Sequence, residues 1–367
     1  ALPRPRPWIW FVDTRQVTIR DIRLVDSPSY FLTFETSDDV FVEGVRIQGH
    51  PRSPNSDGIQ VEGGRSIRIV GVDIRTGDDA IVLKSSAGPI EDVLITASRL
   101  ESDDAAFKFG TGTEHPIRRV RISDSVIVNS RFGITAFMKD GGEISDFTAS
   151  GLDIATGSRH ATDYAVYVDV DRRLPSSRLG SIRNFALRDI RIRTRGNLLI
   201  GGHPRAPIRD LTLYDVHVTI EQPVDLSRLR GKPRGNALLS PLPDSVDYSQ
   251  VNAHVTLAHV HGARIEGLRV GGTEADLAAR TALHLAELRD VDLVGFRRDP
   301  IGEARTAIVT SEVADVRIRD ARAEGPGALL RLDPGGEREV HVLDSEARGG
   351  RLLEQPLPGA RIRQLPR

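Results

Sequence analysis

The sequence predicts an all-β chain wound into a right-handed parallel β-helix of about a dozen coils. Three observations carry that expectation: a short alternating phrase that recurs along the chain, a spacing between copies in the mid-twenties, and an aromatic content of only 5 %. The phrase alternates apolar and polar residues for about four positions, breaks at a small or acidic residue, and then alternates again. It reads VTIRDIRL at 17–24, VFVEGVRI at 40–47, IRIVGVDI at 67–74, VLITASRL at 93–100, VRISDSVI at 120–127, FTASGLDI at 147–154, FALRDIRI at 185–192 and LTLYDVHV at 211–218. Fainter copies start at 263, 291, 316 and 340.

Alternation with period two is a strand with one buried face. Between Ile19, Val42, Ile69, Ile95, Ile122 and Ala149 the steps are 23, 27, 26, 27 and 27 residues. That is short for strand–helix–strand crossovers and suits one solenoid turn of about three short strands. Inward Ile, Val and Leu then stack into a continuous core, outward positions carry Arg, Asp, Glu and Thr, and a narrow aliphatic interior explains the scarcity of aromatics. The leucine-rich alternative needs an asparagine-containing ladder that is absent. The expected domain is the whole chain, 1–367. Two longer steps, 38 residues from Ala149 to Leu187 and 52 from Leu213 to Ile265, predict extra chain at 172–179 and a loop insertion at 221–250. The run IRIRTRG at 190–196 reads as an outward face paired with acids on adjacent coils.

Composition narrows the function classes. Lys plus Arg (50) balances Asp plus Glu (51), which argues against a generally basic nucleic-acid binder. With no Cys there is no disulfide, thiol nucleophile or thiolate metal site. No apolar run is long enough for a membrane-spanning helix, and no signal-peptide pattern opens the chain. The 50 basic residues comprise 46 Arg and four Lys: Lys84, Lys108, Lys139 and Lys232.

Chemistry gathers early. After the copy at 40–47 comes SPNSDGIQV with Asp57; one coil later comes TGDDAIVLK with Asp78 and Asp79. Asp57 and Asp79 lie 22 residues apart in matching contexts, so on stacked coils they become neighbours about 4.8 Å apart. Either alone reads as a turn residue. Three crowded carboxylates are unfavourable as structure; repulsion raises at least one pKa and leaves a proton donor beside ionised bases. Glycoside hydrolysis needs that pairing, while Ca²⁺ binding is another use of such a cluster.

The segments RPWIWF, VTIRDIRLVDSPSYFLTF, SPNSDGIQV and IRIVGVDIRTGDDAIVLKS resemble the family 28 glycoside hydrolases, the polygalacturonases and rhamnogalacturonases, densely over 6–86 and as coil rhythm to about Gly349. The resemblance implies a pectin-lyase-like β-helix in which Asp78 is the general acid and Asp57 and Asp79 activate water in an inverting hydrolysis. It also implies a polysaccharide or oligosaccharide substrate, no cofactor or metal, a secreted or periplasmic location, and a chain lacking the family's N-terminal cap. Two motifs depart. Gly-His-Gly is replaced by Asp104-Ala105-Ala106, and Arg-Ile-Lys by Thr135-Ala136-Phe137. The stretches at 106–111, 138–142 and 166–173 resemble a divergent bacterial branch, which separates the acid–base machinery from galacturonate specificity.

Three of the four lysines fall on coils that carry or follow the Asp cluster. Lys108, aligned with Gln60, Val82 and Thr135, is expected to bind a substrate or to support an ionised Asp. Lys84 and Lys139 divide between substrate binding and a solvated surface. Asp104, Arg173 and His203 complete the expected substrate-binding set; Asp103 extends the acidic spot, and Asp140 forms a turn at the rim. His259 and His261 share a face near His254, without the carboxylate spacing of a zinc site. Trp8 and Trp10 suit sugar stacking or, more simply, core or cap packing. Two alternatives accompany hydrolysis: a Ca²⁺-dependent lyase with Lys108 as base, and a non-catalytic carbohydrate-binding β-helix.

Overall fold

In a computed structural model, which describes residues 5–157, 160, 163–228, 242–333, 339–354 and 361–364, the chain forms the expected parallel β-helix of about twelve turns. Every paired strand is parallel to its neighbour in the next coil, as in Ile59–Glu62 against Leu32–Glu35 and Ile81–Leu83. One sheet stacks thirteen strands in coil order, from Ile9–Val12 to Arg351–Leu353. The recurring phrase forms the other, larger sheet, and its pairings keep Val40, Ile67, Val93, Val120, Phe147 and Phe185 in one row. Among the described residues the only α-helix is the short Glu274–Ala278, capped by Thr273.

The break in each phrase is the corner of the coil. Asp21, Gly44, Gly71, Ala97, Asp124, Gly151, Asp189, Asp215, Gly267, Gly295, Asp320 and Asp344 all have φ between 46° and 69°. That left-handed conformation is tolerated best by Gly, Asp and Asn. A β-strand can therefore turn there without a loop, which keeps the coil short.

A single buried apolar cluster runs from Leu24 to Val342. Its middle is not purely aliphatic. Phe107, Phe109, Phe147 and Phe185 stack inside, with ring centres 4.7–5.8 Å apart between contacting pairs. The thirteen-stranded sheet departs further from the expected pattern, because several of its strands are buried on both faces, as in Ala105–Phe109 and Phe132–Met138. Ala105, Phe132, Phe137, Tyr164, Tyr167 and Leu199 form a second apolar cluster, with Tyr248 from the insertion packed against it.

Of the insertion at 221–250 the structure describes 221–228 and 242–250, and the next strand is Ala253–Ala258; Lys232 lies outside the described residues. Asp244 fastens the described part, accepting from Arg172 at 2.6 Å and from Arg205, while its backbone carbonyl accepts from His203 Nε2 at 2.9 Å. Ser245 donates to Asp171 at 3.0 Å.

Candidate active site

Register brings the predicted carboxylates together. Phe31 N–H donates to the Asp57 carbonyl, Gly58 N–H to that of Asp79 and Ala80 N–H to that of Ala105, each at 2.8 Å. Tyr30, Asp57, Asp79, Ala105, Phe132 and Tyr164 thus form one row across successive coils. The row three residues on holds Trp10, Thr33, Gln60, Val82, Lys108, Thr135, Tyr167 and Leu199. Gly77 lets the preceding loop close over this point, since a Cβ there would sit 2.5 Å from the Ser53 carbonyl and 2.6 Å from that of His50.

One carboxylate oxygen from each of Asp57, Asp78 and Asp79 lies within 4.8 Å of the others. The three are not alike. Asp57 and Asp79 are each only 2 % exposed, where the sequence suggests a surface spot, and Asp78 is half-buried. Asp78 accepts Asn55 N–H at 2.9 Å and Asp79 N–H at 3.0 Å, and its carbonyl is held by the Thr76 and Ser102 hydroxyls. Lys84 Nζ donates to Asp57 at 2.9 Å and to Gln60 at 2.6 Å. Lys108 Nζ touches both oxygens of Asp79, at 3.0 and 2.8 Å, and Asp104 at 3.5 Å.

Burial pushes the Asp78 carboxyl above its ordinary range, and the negative charge of Asp57 adds to it. Burial also pushes Asp79 upward against the pull of Lys108. Lys108 is itself driven toward the neutral form by burial, yet Asp79 and Asp104 outweigh this and hold its ammonium. Both Asp79 oxygens accept from one ammonium, which fits a carboxylate–ammonium pair. Asp104, although half-buried, is held low by Lys108 and by Arg131 at 3.2 Å. The cluster therefore contains two carboxyl groups engaged by lysines, Asp57 and Asp79, and one, Asp78, that is pushed upward and engaged by backbone N–H groups. Calcium fits poorly: both oxygens of Asp79 and one of Asp57 are already occupied by ammonium groups.

The other predicted residues divide. Lys84 and Lys108 join the cluster through its carboxylates. Lys139 is not solvated: it is 4 % exposed and pairs with Asp169. Arg173 pairs with Asp140, which also accepts the N–H groups of Gly112 and Thr113 at 3.1 Å. His203 is buried and helps to hold the insertion. Asp103 meets His160 at 3.2 Å. His259 does not share a face with His261; it turns at φ 47° and its ring meets Tyr248 and Glu287. No metal-holding group other than the three Asp occurs among the described residues. Trp8 and Trp10 are 49 % and 40 % exposed rather than packed, and Trp10 donates to Glu35 at 3.1 Å. Sequence reasoning missed Arg131, Glu62 and Tyr30; the row alignment that singled out Lys108 also contains the signal for Tyr30, next to Asp57.

A wider concavity of about 950 Å³ opens on the larger sheet, lined by Arg68, Asp92, Arg119, Arg121, Asp290 and Arg317 among others. Arg119 and Arg317 are matched there to Asp92 and Asp290, and the Asp92 carboxyl is held low by Arg119.

The fold is a parallel β-helix with a carboxylate trio just before the strands Ile59–Glu62 and Ile81–Leu83. Residues 4–150 match the family model of glycosyl hydrolases family 28, and Asp57, Asp78, Asp79 and Lys108 all lie in the matched part. Polygalacturonase of Persea americana is 27 % identical over 146 residues, 40 % of this chain and 28 % of that protein. A probable polygalacturonase of Vitis vinifera is 28 % identical over 163 residues, 41 % of this chain and 33 % of its own. The chain thus spans a third or less of these relatives' length. Among solved structures, a hyperthermoactive exopolygalacturonase from Thermotoga maritima superposes with TM-score 0.54 at 18 % identity, over 59 % of this chain and 50 % of its own. The family 28 exopolygalacturonase of Yersinia enterocolitica gives 0.53 at 13 % identity, over 90 % of this chain and 48 % of its own, which establishes the shared fold. No helix among the described residues is long and apolar enough to cross a membrane.

Proposed function

We propose that the protein hydrolyses a glycosidic bond in a pectin-like polysaccharide or oligosaccharide, outside the cell or in the periplasm, with inversion at the anomeric carbon. The observation that carries this reading is the unequal partnering of three adjacent carboxyl groups: Asp57 and Asp79 accept from lysine ammonium groups, Asp78 from backbone N–H groups. Asp78, half-buried and pushed toward the protonated form, gives its proton to the glycosidic oxygen as the C1–O bond breaks. Water attacks C1 and loses a proton to Asp57, which Lys84 contacts at 2.9 Å, with Asp79 as the second acceptor. Solvent then returns Asp78 and Asp57 to their starting states.

Inverting pairs usually stand about 6.5–9.5 Å apart and retaining pairs about 5–5.5 Å. The nearest oxygens here are closer than either, so spacing does not favour inversion. Engagement does: a carboxylate held by both oxygens on Lys108, or by one on Lys84, is a poor nucleophile for a covalent intermediate. A lyase reading is weaker, because Lys108 is held as an ammonium and cannot take a proton.

Product analysis on pectic and other polysaccharides tests this. The expected results are a first product of inverted configuration by NMR, no ultraviolet-absorbing unsaturated product, and insensitivity to chelators. Asp78→Asn should lower kcat/KM by roughly 10²- to 10⁴-fold. Full activity of that variant would remove Asp78 from its role, and a retained anomer would overturn the inverting step alone.

A further inference from the structure

The cations flanking the cluster are already matched to carboxylates of the protein. Lys84 lies on Asp57, Lys108 on Asp79 and Asp104, and Arg131 on Asp104. Further along the same sheet, Lys139 lies on Asp169 and Arg173 on Asp140. Glu35 and Glu62 stand in register one coil apart at the other side. Burial pushes the Glu62 carboxyl upward, and the charges of Glu35 and Asp57 add to this beyond the opposing pull of Lys84. Among the described residues the site therefore has no surplus of positive charge: its acids equal or outnumber its bases. A sugar carrying a free carboxylate would enter as an additional anion next to Asp57, Asp78 and Asp79. To bind it, the protein would have to break a buried ion pair, which leaves a buried carboxylate without its partner.

From this we infer that the sugar unit seated on Asp57, Asp78 and Asp79 is uncharged: a neutral hexose or deoxyhexose, or a uronic acid whose carboxyl is esterified. The inference deepens the proposed hydrolysis and rests on it. An uncharged unit leaves the ion pairs intact and presents hydroxyls to carboxylates that still have acceptor capacity. A uronate would need a cation from elsewhere. Arg52, exposed on the loop that closes over Gly77, is the candidate to exclude.

The test compares one galacturonan in three forms: free acid, methyl ester, and carboxyl-reduced. At low salt, kcat/KM for the ester or the reduced polymer should exceed that for the free acid by about ten-fold or more, since like-charge juxtaposition disfavours the acid. The gap should narrow as salt screens the repulsion. Faster cleavage of the free acid than of both other forms overturns the inference and leaves hydrolysis standing. Cleavage of no polysaccharide at all counts against hydrolysis, and binding then decides the charge question. Uncharged oligosaccharides of several linkages should bind the Asp78→Asn protein more tightly than their uronate counterparts. Tighter uronate binding, or no binding by any uncharged member, overturns the inference. Arg52→Ala should leave cleavage of the ester and the binding order unchanged; a selective loss of uronate binding would identify Arg52 as a carboxylate reader and overturn it as well.

Discussion

Replacing Lys108 by methionine would keep most of its stem and remove the ammonium that meets both oxygens of Asp79. Asp79 is 2 % exposed, so its charge would be left buried and unpaired, a change that typically costs about 3–5 kcal/mol. Lys108→Met should therefore lower Tm at pH 7. The sign with pH follows from the carboxyl's rise on burial. A group with a raised folded pKa contributes stability that is present below its unfolded pKa and lost as pH rises through the folded one. The penalty should thus be largest at neutral pH and shrink toward pH 4, and adding Asp79→Asn should recover much of it; a pH-independent penalty would refute the pair as described. A second test concerns Asp78. Because it acts in its protonated form, kcat/KM should fall as pH rises through its raised pKa. Asp104 contributes to that elevation, and Lys108 opposes it. Asp104→Asn removes the first influence and leaves Lys108 less neutralised, so the alkaline limb of the pH–rate profile should move to lower pH.

At the corner of the fourth described coil, Ala97 adopts φ 52° where neighbouring coils place Gly71 and Asp124. An alanine there carries a Cβ penalty of about 1–2 kcal/mol, part of which glycine's extra chain entropy offsets. Ala97→Gly should raise stability by roughly 0.5–1 kcal/mol in urea unfolding. Gly71→Ala should lower it similarly, and by backbone strain alone, since a Cβ at Gly71 meets nothing within 4 Å. These corners were legible in the sequence because one position had to interrupt alternation in every coil, and Asp21, Gly44 and Asp124 do so visibly. The carboxylate trio was legible for the same reason: Asp57 and Asp79 occupy equivalent positions one coil apart. The lysine partnerships were only half legible. Register placed Lys108 in its row but did not show its stem reaching back to Asp79 on the preceding coil. The outer face of Phe132–Met138 was not legible at all. Alternation assigns that face to solvent, whereas Phe132, Phe137, Tyr164 and Tyr167 are buried there with Tyr248 against them, and Tyr248 arrives from more than 80 residues along the chain.

In a solenoid each coil touches only its neighbours, so damage should spread along the axis by stacking and fade with distance. Two buried phenylalanines separate this from a globally cooperative core. The Phe147 ring lies 5.8 Å from that of Phe107 and 5.1 Å from that of Phe109, the two inward residues that flank Lys108. Phe296 is equally buried but lies beyond Val291, four coils further along the row that contains Phe147. Truncating either to alanine should cost about 3–5 kcal/mol. Only Phe147→Ala should also loosen the Lys108 strand, lower kcat/KM well below the unfolding transition, and reduce amide protection in the coils next to residue 147. Phe296→Ala should leave kcat/KM at the parent level and confine its loss of protection to the C-terminal coils. Equal loss of activity in both variants, or a uniform fall in protection along the whole chain, would mean that the coils unfold as one unit and that the site depends on the entire stack rather than on the coils that build it.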